Sequence, residues 1–389
     1  MKDGFVRLGE LISSAPLQRC EQENYPVLSM TMHDGIMLQS ERFKKSLASA
    51  DTSNYKVVNR GQLVVGFPID EGVIYIQKAV DTGIMSPAYN VWNVSPKINS
   101  DYLELYLHSP YAMNYYLANL RGTTARRRSL PTEVLLDLPV FLPELQKQQT
   151  TVDVFAKLKV ITKKQHEQLK KLDELVKSRF MEMFGDLSSP SCRWNKNKLS
   201  HICVNYDDIK CGPFGTQLNK NEYTATGVPI WEIAQINSMF TTKPVHFITQ
   251  DKAVSLNAYS IKPGDIAMSR KGNVGRCAIF PETLQNGIIH SDILRIRVDQ
   301  NQVLPVFIVH QLRYSNHVKH QIELVSSGAI MAGINVTKLK QIEIHIPPLP
   351  LQQQFAAFVE KVDKSKLAVK QSLEKLETLK KSLMQQYFG

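Results

Sequence analysis

The residues best suited to chemistry in this chain are cations set in glycine-punctuated stretches. Arg126, Arg127 and Arg128 follow one another shortly after Gly122, and Arg270, Lys271, Asn273 and Arg276 are interleaved with Gly272 and Gly275. Guanidinium and ammonium groups pair with phosphate oxygens, and Arg, Lys and Asn also donate to base edges, so both stretches suit a polyanionic ligand. Lys44, Lys45, Lys220 and Tyr223 are further candidates for the same surface. Each stretch also has a plainer reading: the arginine triplet as a solvated loop, and 270–276 as a hairpin whose glycines supply positive φ. Arg295 and Arg297 share one face of a strand and read as structural. No catalytic constellation stands out. The chain has no Gly-x-x-x-x-Gly-Lys-Ser/Thr loop for a nucleotide. His310, His317 and His320 lack partner cysteines and read as surface histidines rather than metal ligands.

The dominant feature of the sequence around these stretches is a duplication. A shift of 204 positions, without a gap, lays Leu135 on Leu339, Pro143 on Pro347, Gln148-Gln149 on Gln352-Gln353, Lys171-Leu172 on Lys375-Leu376 and Phe184-Gly185 on Phe388-Gly389. Each copy opens on a period-two alternation, Leu138, Val140, Leu142 and Ile342, Ile344, Ile346, which predicts a strand. A proline ends it, and a long helical pattern follows. Its seam positions, some of them polar, alternate at spacings of four and three: Leu158, Thr162, Gln165, Leu169, Leu172, Val176, Arg179 and Met183 in one copy, and Val362, Lys366, Val369, Leu373, Leu376, Lys380, Leu383 and Tyr387 in the other. This is a heptad seam, and it predicts two helices of roughly 35 residues that pair with each other. The plainer reading packs each amphipathic helix on its own domain. Leu175 and Leu379 lie beside the seam and offer a second apolar face. We therefore take Leu169, Leu172, Leu175, Val176, Leu373, Leu376, Leu379 and Leu383 as candidate subunit-interface residues.

The repeat divides the chain into a first globular part over 1–141, a helix over 142–186, a second globular part over 187–346 and a second helix over 347–389. The spacing predicts one helix over 101–120 and another over 306–324, strands on both sides of the Asn59-Arg60-Gly61 turn, and a hairpin at 270–276. Gly83-Ile84 matches Gly287-Ile288 at the same offset, so the globular parts read as divergent copies. The fold class is α+β: two mixed globular domains separated by two long antiparallel coiled-coil helices, with an internal pseudo-two-fold repeat. With 389 residues and 47 Lys and Arg against 36 Asp and Glu, the net charge of +11 favours a polyanionic partner. There is no apolar run of membrane-spanning length and no signal-peptide block. The five cysteines form no Cys-x-x-Cys pair, so a reduced cytoplasmic setting is expected.

The second half carries a family resemblance. Gly212-Pro213-Phe214-Gly215, Gly227-Val228-Pro229, Pro263-Gly264-Asp265-Ile266 and Ser269-Arg270-Lys271-Gly272 resemble target-recognition domains of type I restriction-modification specificity subunits. The segment Ile346-Pro347-Pro348-Leu349, continuing to Gln352-Gln353-Gln354, is similar to that family's junction into its conserved helix. The first half matches less by motif, and Leu142-Pro143-Glu144-Leu145 lacks the second proline. The resemblance implies a non-catalytic protein that reads a split, asymmetric sequence in double-stranded DNA, one part per recognition domain. It implies two methyltransferase subunits and two restriction and motor subunits as partners. No cofactor is expected on this chain; S-adenosylmethionine, ATP and Mg belong to the partners. Two other readings stay open on the residues alone: a stand-alone DNA-modifying enzyme, whose activity would appear with the purified chain, and a coiled-coil adaptor without DNA contact, which would show no salt-dependent duplex binding.

Overall fold

The computed structural model describes residues 4–21, 25–32, 34–42, 52–120, 130–189, 192–326 and 333–389. The chain divides into two compact units, 1–166 with 370–389, and 167–369. The first unit holds strands Phe5–Arg7 (β1), Ile12–Ser14 (β2), Leu28–Thr31 (β3), Gly35–Leu38 (β4), Lys56–Asn59 (β5), Leu63–Val65 (β6), Ile74–Ile76 (β7), Thr82–Met85 (β8), Asn90–Val94 (β9) and Pro139–Phe141 (β10). Its helices are Gln39–Arg42 (α1), Ser100–Leu107 (α2), Pro110–Asn119 (α3) and Thr132–Leu136 (α4), and the long Leu145–Phe184 (α5) starts in it.

The second unit holds strands Asn195–Lys198 (β11), Ile209–Cys211 (β12), Val228–Trp231 (β13), Phe247–Ile248 (β14), Ser260–Ile261 (β15), Ile266–Ser269 (β16), Cys277–Ile279 (β17), Gly287–Ile289 (β18), Ile293–Ile296 (β19) and Glu343–Ile346 (β20). Its helices are Ile233–Asn237 (α6), Gln250–Ser255 (α7), Pro305–Tyr314 (α8), Asn316–Ser326 (α9) and Val336–Lys340 (α10), and the second long helix, Leu349–Phe388 (α11), starts in it.

The two units share one plan. The antiparallel order β2-β9-β6-β7 recurs as β12-β19-β16-β17, and the closing pair β1-β10 recurs as β11-β20. The matched glycines sit at equivalent points of a second sheet. In the first unit Val58 pairs with Gly83, and Val27 bridges Ile84 in parallel. In the second, Ile261 pairs with Gly287, and Ile230 pairs with Ile288 in parallel. A Cβ at Gly83 would come within 2.7 Å of the Leu28 side chain, and one at Gly287 within 2.2 Å of the Pro229 carbonyl. The close approach of neighbouring segments, rather than a turn, is why both positions are glycine.

Each long helix runs for 40 residues, about 60 Å. Pro350 falls in the first turn of α11, where its missing N–H costs nothing. In both units the helices run antiparallel. In the first, Phe155 stacks on Phe388 at 6.1 Å, and Gln165 donates to Ser372 at 2.7 Å. In the second, Lys366 bonds Asp173 at 2.7 Å, and Phe355 meets Phe184 at 5.5 Å. The predicted seam residues are buried or half-buried except Lys380. Two of the polar ones pair with the other helix: Gln165 with Ser372, and Lys366 with Asp173.

Two features tie helices to globular parts. The terminal aromatics close the cores: Phe388 packs on Tyr102 and Tyr106 of α2, at 5.4 and 5.7 Å, and Phe184 packs on Phe307 of α8 at 4.8 Å. The repeated glutamines are fully buried. Gln148 accepts from the Asn99 N–H at 2.7 Å and donates to the Pro143 carbonyl at 2.7 Å. Gln352 accepts from the Leu304 N–H at 2.9 Å and donates to the Pro347 carbonyl at 2.8 Å. Asn99 and Leu304 are the N-cap residues of α2 and α8.

Two expectations need correction. The helices expected over 101–120 and 306–324 are each two helices, broken before Ser109 and Ser315. Ser109 caps α3 through its hydroxyl, with Pro110 in the first turn. The strands expected on both sides of the Asn59-Arg60-Gly61 turn form as β5 and β6, which lie in different sheets. His310 is not a surface histidine. It is buried, its Nδ1 lies 2.7 Å from the Val306 carbonyl, and burial pushes its pKa down to about 4.

The glutamine clamp is directly testable. Gln352→Ala leaves the Leu304 N–H and the Pro347 carbonyl without their partner, and should lower the stability of the second unit by about 1–3 kcal/mol in urea unfolding. Gln353→Ala, at an exposed neighbour, should stay within about 0.5 kcal/mol of wild type. Equal effects from the two changes would remove the clamp from the account.

Candidate nucleic-acid interface

In the second unit the strand pairing brings several loops to one end of the sheets. Ser269 at the end of β16 pairs with Ile293 at the start of β19, and Cys211 at the end of β12 pairs with Leu294. Trp231 pairs in parallel with Ile289, so the chain leaves β13 at that end too. The 270–276 hairpin, the 290–292 connection, the turn after Cys211 and the start of α6 therefore converge. The hairpin forms as expected, with Met268 opposite Cys277 and positive φ at Gly272 and Gly275.

The motif glycines and acids build this end rather than face a ligand. A Cβ at Gly212 would lie 2.3 Å from the carbonyl oxygens of Ile289 and His290, so only glycine lets the turn pass that connection. Asp265 is buried and receives both Nε and Nη2 of Arg297 at 2.7 Å, a fork that fixes β19 beside β16. Arg295 is buried too, donating to the Ser260 carbonyl at 2.6 Å with Asp208 at 3.4 Å. Arg295 of β19 and Arg297 just beyond it are structural in this geometry.

The cations of the hairpin differ in how free they are. The Arg270 guanidinium lies over the Phe214 ring at 5.0 Å and reaches the Cys211 sulfur at 3.2 Å. Burial raises the Cys211 pKa, and Arg270 opposes that rise. Lys271 is paired with Asp292 at 2.8 Å, and its backbone bridges Gly333. Arg276 is exposed and donates to the Asn237 carbonyl, the last of α6, at 2.7 Å. Asn273 is exposed, its carbonyl accepting from the Arg276 N–H. Asn273 and Arg276 line a groove of about 500 Å³ with Arg313 of α8 and Lys319 and Glu323 of α9. Sequence reasoning missed Arg313 and Lys319, because they lie on either side of the helix break at Ser315.

Lys220 stands exposed on a short turn whose end is Tyr223. The Tyr223 ring packs on His246 at 4.8 Å, and His246 Nδ1 lies 2.9 Å from Glu232 Oε2. Burial and the nearby Glu232 carboxylate raise the Tyr223 pKa. Glu232 and His246 were not legible, since only the β13-β14 pairing brings them together.

The first unit presents different chemistry at the equivalent end. Val65 pairs with Asn90, so the β6-β7 connection lies beside the β8-β9 connection. It carries Asp70 and Glu71 where the second unit has Arg270 to Arg276, and its Phe67 is 56% exposed. A groove of about 280 Å³ beside it is lined by Met30, Arg42, Tyr55, Ser86 and Tyr89. Lys44, Lys45 and Arg126, Arg127 and Arg128 lie outside the described residues. Among the described residues, no group of three or more His, Cys, Asp or Glu is placed to hold a metal ion, and no helix is long and apolar enough to cross a membrane.

The interface candidates on the helices also separate. Val176 is buried, and Leu169, Leu172, Leu373, Leu376 and Leu383 are half-buried. Leu172 and Val176 join the core of the second unit, and Leu376 and Leu383 that of the first. Leu175 and Leu379 remain 47% and 46% exposed.

Comparison with known proteins agrees with this architecture. A family described as the type I restriction modification DNA specificity domain matches residues 194–379. A relative from Methanocaldococcus jannaschii, named for the specificity subunit of the type I restriction enzyme MjaX, is 27% identical over 170 residues. That match spans 42% of this chain and 39% of the relative's length. A chain solved in work on complex assembly and conformational transition of the type I R-M system superposes with a TM-score of 0.61 at 17% identity, covering 99% of this chain and 97% of the other. The S subunit of a type I restriction-modification system from M. genitalium gives 0.53 at 12% identity, covering 98% and 94%. At these identities the structural likeness is one of fold: two mixed α/β domains and two long helices. Residues 194–379 thus match the type I restriction modification DNA specificity domain family, and nearly the whole chain shares the fold of the two solved chains.

Proposed function

We propose that this chain is the non-catalytic, DNA-reading subunit of a type I restriction-modification complex. It reads a bipartite, asymmetric site in double-stranded DNA, one part per globular domain. It holds two methyltransferase subunits and joins two restriction and motor subunits in the cytoplasm. S-adenosylmethionine, ATP and Mg are carried by those partners. The observation that most supports DNA contact is the groove lined by Arg276, Arg313, Lys319 and Asn273. It gathers three cations from three elements beside the converging loops, and among the described residues lining it Glu323 is the one acid. Cations that positions far apart in sequence bring to one groove suit the regular charge of a phosphate backbone. The unlike ends, one with a basic hairpin and one with an acidic connection, support an asymmetric site.

Arg270 and Lys271 have a different part in this reading. Arg270 is stacked and bonded, and Lys271 is neutralised by Asp292, so they shape the hairpin while Arg276 offers the freer charge. The methyltransferase subunits dock on the helix faces left open by the seam. Leu175 and Leu379 stand there at equivalent positions of the repeat, which suits two copies of one partner.

Replacing Arg276, Arg313 and Lys319 with Ala should weaken binding to all duplexes alike and flatten the slope of log affinity against log salt by about one per lost phosphate contact. An unchanged slope takes the groove out of the interface. Changing Leu175 and Leu379 to Glu should release methyltransferase subunits, read as the mass of the purified complex by light scattering. Two methyltransferases still bound per chain would mean that the partners dock elsewhere.

A further inference from the structure

In the second unit, one exposed imidazole is held by contacts that leave one of its ring nitrogens open. We infer that His246 reads a base in the half-site of the second unit, by accepting a hydrogen bond from the exocyclic amino group of adenine or cytosine, and that Glu232 is its positioning residue. The inference rests on the DNA-reading function proposed above.

The geometry fixes the imidazole from three sides. Its backbone is anchored, because the His246 carbonyl accepts from the Ile230 N–H at 2.9 Å. Its ring is packed by Tyr223, with centroids 4.8 Å apart. Its Nδ1 lies 2.9 Å from Glu232 Oε2. An ionised carboxylate only accepts, so in the neutral ring Nδ1 carries the proton and Nε2 is left as a bare acceptor. Among the described residues Nε2 has no partner, and the side chain is 43% exposed. Glu232 is itself fixed. Its N–H donates to Gln235 Oε1 at 3.0 Å at the start of α6, the helix whose last carbonyl holds Arg276. The reading group and the freest cation of the hairpin are thus tied to one short helix.

A bare acceptor discriminates. A phosphate oxygen has no hydrogen to give it, so the neutral ring makes a poor backbone contact. In the major groove the donors are the N6 amino group of adenine and the N4 amino group of cytosine, while guanine and thymine present acceptors at the corresponding edges. His246 therefore favours adenine or cytosine at one position and disfavours guanine and thymine there.

The test uses the full chain with its methyltransferase partners and a randomised duplex library, with enriched sequences read by sequencing. Wild type should require adenine or cytosine at one position that H246A relaxes about tenfold, with the other half-site unchanged. That unchanged half-site also reports that the variant is folded. E232A, which frees the tautomer, should relax the same position. E232Q should restore it, because the amide oxygen still accepts from Nδ1–H; a merely structural ion pair would not be rescued this way. If H246A leaves every position unchanged, or weakens all sequences equally with a flatter salt slope, the assignment is overturned, and in the latter case His246 is a phosphate contact. If wild type itself selects no sequence, the DNA-reading function falls together with the assignment.

Discussion

The structure depends on a buried amide at the start of each long helix. Gln148 and Gln352 each tie the first turn of a 40-residue helix to the N-cap of a helix in a globular part, α2 and α8 respectively. A fully buried glutamine brings two strong polar groups out of water, and each unmet hydrogen bond would cost about 1–3 kcal/mol. The amide therefore accepts only the arrangement in which both ends are paired. This fixes the rotation of the helix about its own axis relative to the sheet it leaves. The far end of the other helix then closes the same core with an aromatic plug, Phe388 in the first unit and Phe184 in the second. Each unit is therefore built from one globular part, the beginning of one helix and the end of the other. The duplication is kept most strictly at these positions because an error there would unseat a core rather than a surface.

This division explains what could be read from the sequence. The helix pair was legible because a heptad seam and an exact offset are periodic signals, and because Gln-Gln and Phe-Gly recur in register. The equivalence of Gly83-Ile84 with Gly287-Ile288 was legible for the same reason, and the structure gives it a cause in close strand packing. The family motifs were legible but structural: Gly212 passes a carbonyl at 2.3 Å, and Asp265 grips Arg297. Such residues identify the scaffold and carry no information about bases.

The candidate site was legible only in outline. The hairpin at 270–276 was visible from its glycines, but nothing local showed that Asp292 neutralises Lys271 or that Phe214 and Cys211 engage Arg270. Arg313 and Lys319 join the hairpin only because Ser315 ends one helix and starts another. Glu232 and His246 meet through the strand pair β13-β14, with Pro229 opposite Phe247. Contacts of this kind depend on tertiary pairing, which periodicity and composition do not encode. The burial of His310 was missed for a related reason. A histidine within a helix that looked continuous gave no sign that its ring faces Phe355, at 5.2 Å.

A shared scaffold with unlike loop chemistry is the central point of the account. The second unit sets a basic hairpin and a fixed imidazole where the first sets an acidic connection and an exposed phenylalanine. If the scaffold is common and the ends alone read, the two readers must be separable. The most direct measurement is the methylation motif written in cells by the partner methyltransferases together with a chain in which residues 195–346 are replaced by the corresponding domain of a homologue. The account predicts that one half of the motif changes while the other half and the spacer between them stay the same. A motif that changes in both halves, or in neither, would contradict it.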